Sequence, residues 1–212
     1  EEIPSWIMQG YGTMANEAAD QLRQCGVNRP THVFVQAGVG SLAGAVVGYF
    51  TNLFPNDPPK FVVMEARAAD CLYQGALAAD GKPRIVTGDL QTIMAGLACG
   101  EPNTISWDIL RNHVSAFISC PDWVSAKGMR MLGVPVKGDP TVISGESGAV
   151  GMGCLDAIMC DDTYKELRDA LELNRFSQVL MFSTEGNTDP LKFRRVIWDG
   201  EYPTTETPQK PY

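Results

Sequence analysis

The sequence predicts an α/β fold with a mostly parallel sheet and helices on both faces. Three observations lead there. Short apolar strands alternate with helical patterns along the chain. The run His32-Val33-Phe34-Val35-Gln36 leads through a glycine turn into a small-residue helix. No internal repeat, low-complexity block or clear linker divides the 212 residues, a length sufficient to bury a substantial core.

Taken in order, apolar spacing predicts a helix over 13–24 and then a strand over 32–36, where Val33, Phe34 and Val35 form a β-branched and aromatic run. Gly38 and Gly40 let the backbone turn sharply. Ala43, Gly44, Ala45 and Gly48 then allow a helix over 41–53 to pack closely on the sheet. Further strands are expected over 61–65, 115–119 and 178–183. Further helices are expected over 66–78, 90–97, 106–112, 122–132, 148–159, 163–172 and 189–196. Asp89, Asp122 and either Asp161 or Asp162 stand where they would cap the helices that follow. From Glu201 onward, Pro203, Pro208 and Pro211 read as irregular surface chain. Trp6, Trp107, Trp123 and Trp198 read as packing residues, and His32 and His113 as core or surface histidines.

Charge excludes some functions. With 17 Lys+Arg against 25 Asp+Glu the net charge is −8, and no basic stripe is present to neutralise nucleic-acid phosphates or anionic lipid. There is no secretory apolar region and no run approaching roughly 18 apolar residues, so a soluble cytoplasmic protein is the default expectation. The six cysteines are scattered without a CxxC pair, which argues against structural zinc and for reduced, small apolar residues. Cys71 and Cys99 each adjoin a segment that reads as a functional loop, and they are the one candidate disulfide.

The chemistry concentrates in two places. Free amides from Gly38 through Val39 and Gly40 to Ser41, with the positive end of the following helix, favour a dianionic ligand such as a phosphate. The plainer reading is a tight strand-to-helix connection that binds nothing. Gly38-Val39-Gly40-Ser41-Leu42-Ala43 also fits the G-x-G-x-x-A form of a dinucleotide fingerprint, with Glu65 ending the next strand where a ribose-binding acid would sit. At the second place, Ser183 follows the apolar Val179-Leu180-Met181-Phe182. A hydroxyl at the C-terminal edge of a sheet strand is placed to meet a heteroaromatic nitrogen, or simply to end the strand or cap the next helix.

Read together, Gln36-Ala37-Gly38-Val39-Gly40-Ser41, Val63-Met64-Glu65, Glu146-Ser147-Gly148-Ala149 and Ser183-Thr184-Glu185-Gly186-Asn187 resemble, in order, the motifs of fold type II pyridoxal-phosphate enzymes. Ala37 replaces a common glycine, and Thr184 and Glu185 stand where a shorter turn is usual. Ile3 to Tyr11, Met94 to Pro102 and Ser144 to Gly151 narrow the likeness to the ammonia-lyases of that family that act on 2,3-diaminopropionate.

The resemblance implies a fold like the large domain of those enzymes, pyridoxal 5'-phosphate as cofactor, and β-elimination from 2,3-diaminopropionate to pyruvate and two ammonia molecules. It implies Gly38, Val39, Gly40 and Ser41 as phosphate ligands and Ser183 as the partner of the ring nitrogen. It also implies a homodimer, with neither nucleic acid nor membrane as partner. The Schiff-base lysine of the family lies in a segment that none of Lys60, Lys82, Lys127, Lys137, Lys165, Lys192 and Lys210 matches, and each of these reads as a surface charge. Residues 1–212 are therefore expected to be a C-terminal portion, mainly large domain and inactive by itself. Glu101 and Glu146, the carboxylates beside recognisable motifs, receive no catalytic role. Two other classes stay open: a nicotinamide-binding oxidoreductase, on one fingerprint, and a non-catalytic interaction fragment, on the missing lysine.

Overall fold

A computed structural model describes residues 2–204. The chain runs through α1 (Glu2–Gln24), β1 (His32–Gln36), α2 (Ser41–Leu53), β2 (Lys60–Ala66), α3 (Cys71–Ala78), α4 (Thr104–His113), β3 (Val114–Cys120), α5 (Asp122–Gly133), α6 (Glu146–Cys160), α7 (Lys165–Leu171), β4 (Val179–Met181) and α8 (Pro190–Ile197). The strands form one sheet of order β3-β2-β1-β4, and every pairing is parallel. β1, in the interior, lies beside β2 with His32 opposite Lys60 and beside β4 with His32 opposite Val179.

Alternation along the strands feeds two cores. Phe34, Val62 and Met64 point to one face and pack with Val124 and Met129 of α5 and Val150 and Ile158 of α6. Val33, Val35, Phe61 and Val63 point to the other, against Val46, Val47 and Phe50 of α2 and Leu110 of α4. With both faces covered, near-continuous apolar strands are what a parallel sheet requires. His32 is buried, and its Nε2 lies 2.8 Å from the Leu171 carbonyl.

Several boundaries depart from expectation. α1 begins eleven residues before position 13, because Gly10 and Gly12 lie on exposed or half-buried turns where glycine costs only helix propensity. The helix expected over 66–78 is a 3-10 turn at Arg67–Ala69 followed by α3. No helix spans 90–97. Leu90 has φ 51°, and only Ala95–Leu97 forms a 3-10 turn, so Asp89 caps nothing. Asp122 is the first residue of α5, not its cap; its carboxylate accepts from the Thr92 hydroxyl at 2.5 Å and from Ile93 N at 3.2 Å, pinning that loop instead. Asp161 does cap, accepting from Thr163 N at 2.8 Å. β4 stops at Met181, which leaves Ser183 beyond the strand rather than in it. Trp107 is buried and Trp123 packs against the core, but Trp6 and Trp198 are exposed. Pro208, Pro211 and Lys210 lie outside the described residues.

Candidate functional site

The C-terminal ends of β1 and β4 open onto a cavity of about 490 Å³. Gly38, Val39, Gly40, Ser41 and Ser183 all line it, so the two separate sequence segments meet at one place. This is the edge on which open α/β sheets bind ligands.

One wall is the turn from β1 into α2. Gly40 precedes α2 at φ 97°, in the left-handed region, and a Cβ there would meet Leu72, Leu110 and Ser106 at 3.3–3.4 Å. Among the described residues, the amides of Gly38, Val39, Gly40 and Ser41 have no hydrogen-bond acceptor, whereas Gly44 N already bonds Gly40 O. Unpaired N–H groups at the start of a 13-residue helix make a cradle for an anion. Asn103 locks this cradle from behind. Its backbone N donates to Val39 O at 2.7 Å, its side-chain amide donates to Ser41 Oγ at 2.9 Å, and its Oδ1 caps α4 by accepting from Ile105 N and Ser106 N.

The opposite wall is the chain leaving β4. Ser183 Oγ donates to Ser144 Oγ at 2.9 Å. Gln36, buried at the end of β1, donates both amide hydrogens across the sheet end, to Phe182 O at 2.8 Å and Thr184 Oγ1 at 2.9 Å, the residues flanking Ser183. Glu185 ties the same turn to α6: Gly145 N donates to its carbonyl at 3.0 Å, and Ser147 N donates to its carboxylate. Ser147 itself is 5% exposed, lines the cavity, and has a buried hydroxyl without a hydrogen-bond partner. A Cβ on Gly96 would stand 3.1 Å from that hydroxyl, so a glycine in the facing loop lets the loop close over it without crowding.

Other sequence candidates fall elsewhere. Glu65 is fully buried in β2 and accepts from Leu72 N at 2.9 Å and Tyr73 N at 2.6 Å. It caps α3 and does not line the cavity, which leaves the dinucleotide reading without its ribose acid. Burial pushes its carboxyl up to about 8, against the two N–H bonds that favour the charged form. Cys71 and Cys99 are free thiols, not a disulfide. Cys71 Sγ instead donates weakly to the carbonyls of Gly38, at 3.9 Å, and Cys99, at 3.7 Å, and burial beside Glu65 pushes the thiol up to about 12. Glu101 and Glu146 do not line the cavity. Sequence reasoning missed Gln36, Asn103 and Ser147. Asn103 ahead of Thr104 carried a helix-cap signal; Gln36 and Ser147 stood inside the recognised motifs, but nothing local marked the contacts they make.

The profile of the pyridoxal-phosphate dependent enzymes matches residues 4–166. The chain belongs to that family. Within it, the chain is 51% identical over 201 residues to the diaminopropionate ammonia-lyase of Salmonella typhimurium, covering 94% of this chain and 50% of that protein. It is 49% identical to the protein of the same name from Escherichia coli K12, with 95% and 50% covered. A crystal structure of the E. coli diaminopropionate ammonia lyase, in complex with an aminoacrylate-PLP azomethine reaction intermediate, superposes with TM-score 0.85 at 48% identity, over 95% of this chain and 50% of that one. Maize serine racemase, at 22% identity and TM-score 0.67 over 92% of this chain and 53% of its own, shares the fold. The chain thus spans about half the length of the curated relatives it matches.

The cofactor that gives this pyridoxal-phosphate family its name fits the cavity's chemistry. Four unpaired amides at a helix start suit a phosphate, and the Ser183 hydroxyl across the cavity suits a pyridine nitrogen. No lysine is among the lining residues.

Proposed function

We propose that this chain forms the cofactor-holding part of a diaminopropionate ammonia-lyase, which converts 2,3-diaminopropionate and water to pyruvate and two ammonia molecules by β-elimination followed by hydrolysis. The observation that carries the reading is the meeting of Gly38 to Ser41 and Ser183 in one cavity, in a chain about half identical to enzymes of that name. Bound pyridoxal phosphate supplies an electron sink for charge that develops at the substrate Cα. The amides of Gly38, Val39, Gly40 and Ser41 hold its phosphate, with the Ser41 hydroxyl assisting. Ser183, a neutral partner, leaves the ring nitrogen largely unprotonated, which favours elimination. Asn103 and Gln36 keep the two walls in place. The lysine amine that covalent catalysis needs is supplied from outside the cavity lining seen here.

The wider reading is a cytoplasmic, homodimeric enzyme of amino-acid catabolism with no nucleic-acid or membrane partner. The net charge of −8 supports the last clause, and sedimentation of the completed protein tests the dimer. The deciding experiment measures pyruvate release from 2,3-diaminopropionate by this chain with added cofactor, and by the chain completed to the length of its relatives. Turnover only by the completed protein is expected. Turnover by the 212-residue chain alone removes the argument that its lysine lies elsewhere, and an inactive completed protein removes the substrate assignment.

A further inference from the structure

Two serine hydroxyls lie face to face where the chain leaves β4. Ser183 Oγ and Ser144 Oγ are 2.9 Å apart. Ser183 lines the cavity, whereas Ser144 is only 1% exposed and has Ser183 Oγ as its one hydrogen-bond partner among the described residues. The seat of Ser144 leaves room for a hydroxyl: a Cβ on Gly148, the third residue of α6, would stand 2.6 Å from Ser144 Oγ. Ser183 is confined as well, because Gln36 donates to Phe182 O and to Thr184 Oγ1 on either side of it. The other acceptor near Ser183 Oγ is Glu185 O at 3.5 Å, and that carbonyl already accepts from Gly145 N at 3.0 Å.

Each hydroxyl carries one proton, and rotation about its C–O bond lets it donate or accept. While Ser183 donates to Ser144, the Ser144 proton is left in the interior without an acceptor among the described residues, and a buried donor in that state is costly. With the roles exchanged, Ser144 donates to Ser183 and the Ser183 proton turns into the cavity. Every proton is then paired once a ligand offers a lone pair there. From this count we propose that Ser144 is a positioning residue that fixes Ser183 as a donor toward the cavity, so that the cofactor's ring nitrogen is held as an acceptor without a proton. The proposal rests on the reading in which Ser183 meets that nitrogen. A hydroxyl that accepts one hydrogen bond donates the next more strongly, so the two serines reinforce each other. A protonated ring would need Ser183 as its acceptor and would send the Ser183 proton back to Ser144 or to the long contact with Glu185 O. Glu185, the only carboxylate among the lining residues, pulls the other way, since negative charge favours a protonated ring, but its carboxylate is turned to Ser147 N. The serine pair thus opposes the one charge beside it.

The test uses the protein completed to the length of its relatives and loaded with pyridoxal phosphate carrying nitrogen-15 in the ring. The nitrogen chemical shift, followed over pH, reports whether the ring holds a proton. Tyr11, Cys99 and Glu185, the titratable groups that line the cavity, are the same in every variant. The wild-type ring is expected without a proton at neutral pH. In Ser144→Ala the Ser183 hydroxyl is free to accept, and the protonated fraction at a given pH should rise about tenfold. A purely structural role for Ser144 is separated by a second background: once Ser183→Ala has removed the link, adding Ser144→Ala should leave the nitrogen signal where it was. A protonated ring in the wild type, an unmoved signal in Ser144→Ala, or the same shift in both backgrounds overturns the proposal. Melting temperature reports folding; if Ser144→Ala does not fold, Ser144→Cys, of similar shape but a weaker donor, takes its place with a shift in the same direction. Pyruvate release from 2,3-diaminopropionate by the wild type is followed in parallel, and its absence counts against the ammonia-lyase reading. A signal indifferent to Ser183→Ala removes both the site reading and this inference, whereas one that answers to Ser183→Ala but not to Ser144→Ala sinks this inference alone.

Discussion

The side-chain amide of Asn103 donates to the hydroxyl of Ser41 at 2.9 Å, so the cap of α4 is also the clamp on the first residue of α2. One residue thereby serves two elements, and its two functions are separable by substitution. Asn103→Ala removes both and is expected to cost about 0.5–2 kcal/mol, the usual value of a lost helix cap. Asn103→Asp keeps the acceptor for Ile105 N and Ser106 N but loses the donor to Ser41. Urea unfolding should therefore distinguish the two variants, while both weaken cofactor binding in titrations followed by absorbance.

Gly40→Val should damage the cradle directly. The left-handed backbone at φ 97° costs a non-glycine residue about 1–3 kcal/mol, and the added side chain meets Leu72, Leu110 and Ser106. The expected outcome is a lower denaturation midpoint together with a weakened response to pyridoxal phosphate. Unchanged cofactor titration would argue that the phosphate sits elsewhere.

Ser183→Ala tests the other wall. Loss of one neutral hydrogen bond should reduce cofactor affinity by about 0.5–1.5 kcal/mol. Ser183→Asp introduces a carboxylate opposite the ring nitrogen and should shift the absorbance of the bound cofactor. Spectra and affinities matching the wild type in both variants would remove Ser183 from the site.

Stability should depend on pH through Glu65. Its carboxyl titrates near 4.5 when unfolded and about 8 in the fold, because burial disfavours the charge. The protonated form is the one the fold prefers, so its contribution is full below about pH 4.5 and disappears as pH rises through about 8, at up to about 1.4 kcal/mol per pH unit. Glu65→Gln should flatten that decline in a series of denaturant midpoints measured from pH 5 to 8.5. A slope that persists in the variant would assign it to other groups.

Local signals made much of this fold legible. β1, the glycine turn and α2 were readable because Val33 to Val35, Gly38, Gly40 and the small residues of α2 each dictate conformation over a few neighbours. The segment 90–97 misled for a physical reason: Ile93, Met94 and Leu97 have helix-like apolar spacing, but they are buried as a loop anchored by Asp122. In the site, Gly38 to Ser41 and Ser183 were visible as motifs. Gln36 heads the first of these motifs, but its role was not legible, since its partners at Phe182 and Thr184 lie 146 and 148 residues away, and no local pattern encodes such a contact.

The parallel pairing of β1 with β4 also sets an order of events during synthesis. Gln178 and Thr31, which hydrogen-bond beside the first pair of that register, are 147 residues apart. At ~5–20 residues per second a ribosome needs roughly seven to thirty seconds to deliver the second after the first. Throughout that interval β1 has a bare edge, and the amide cradle has no serine opposite it. Nascent chains should therefore acquire this pocket only once β4 and Ser183 have emerged, and a chaperone that shields a single strand edge would act on β1 first.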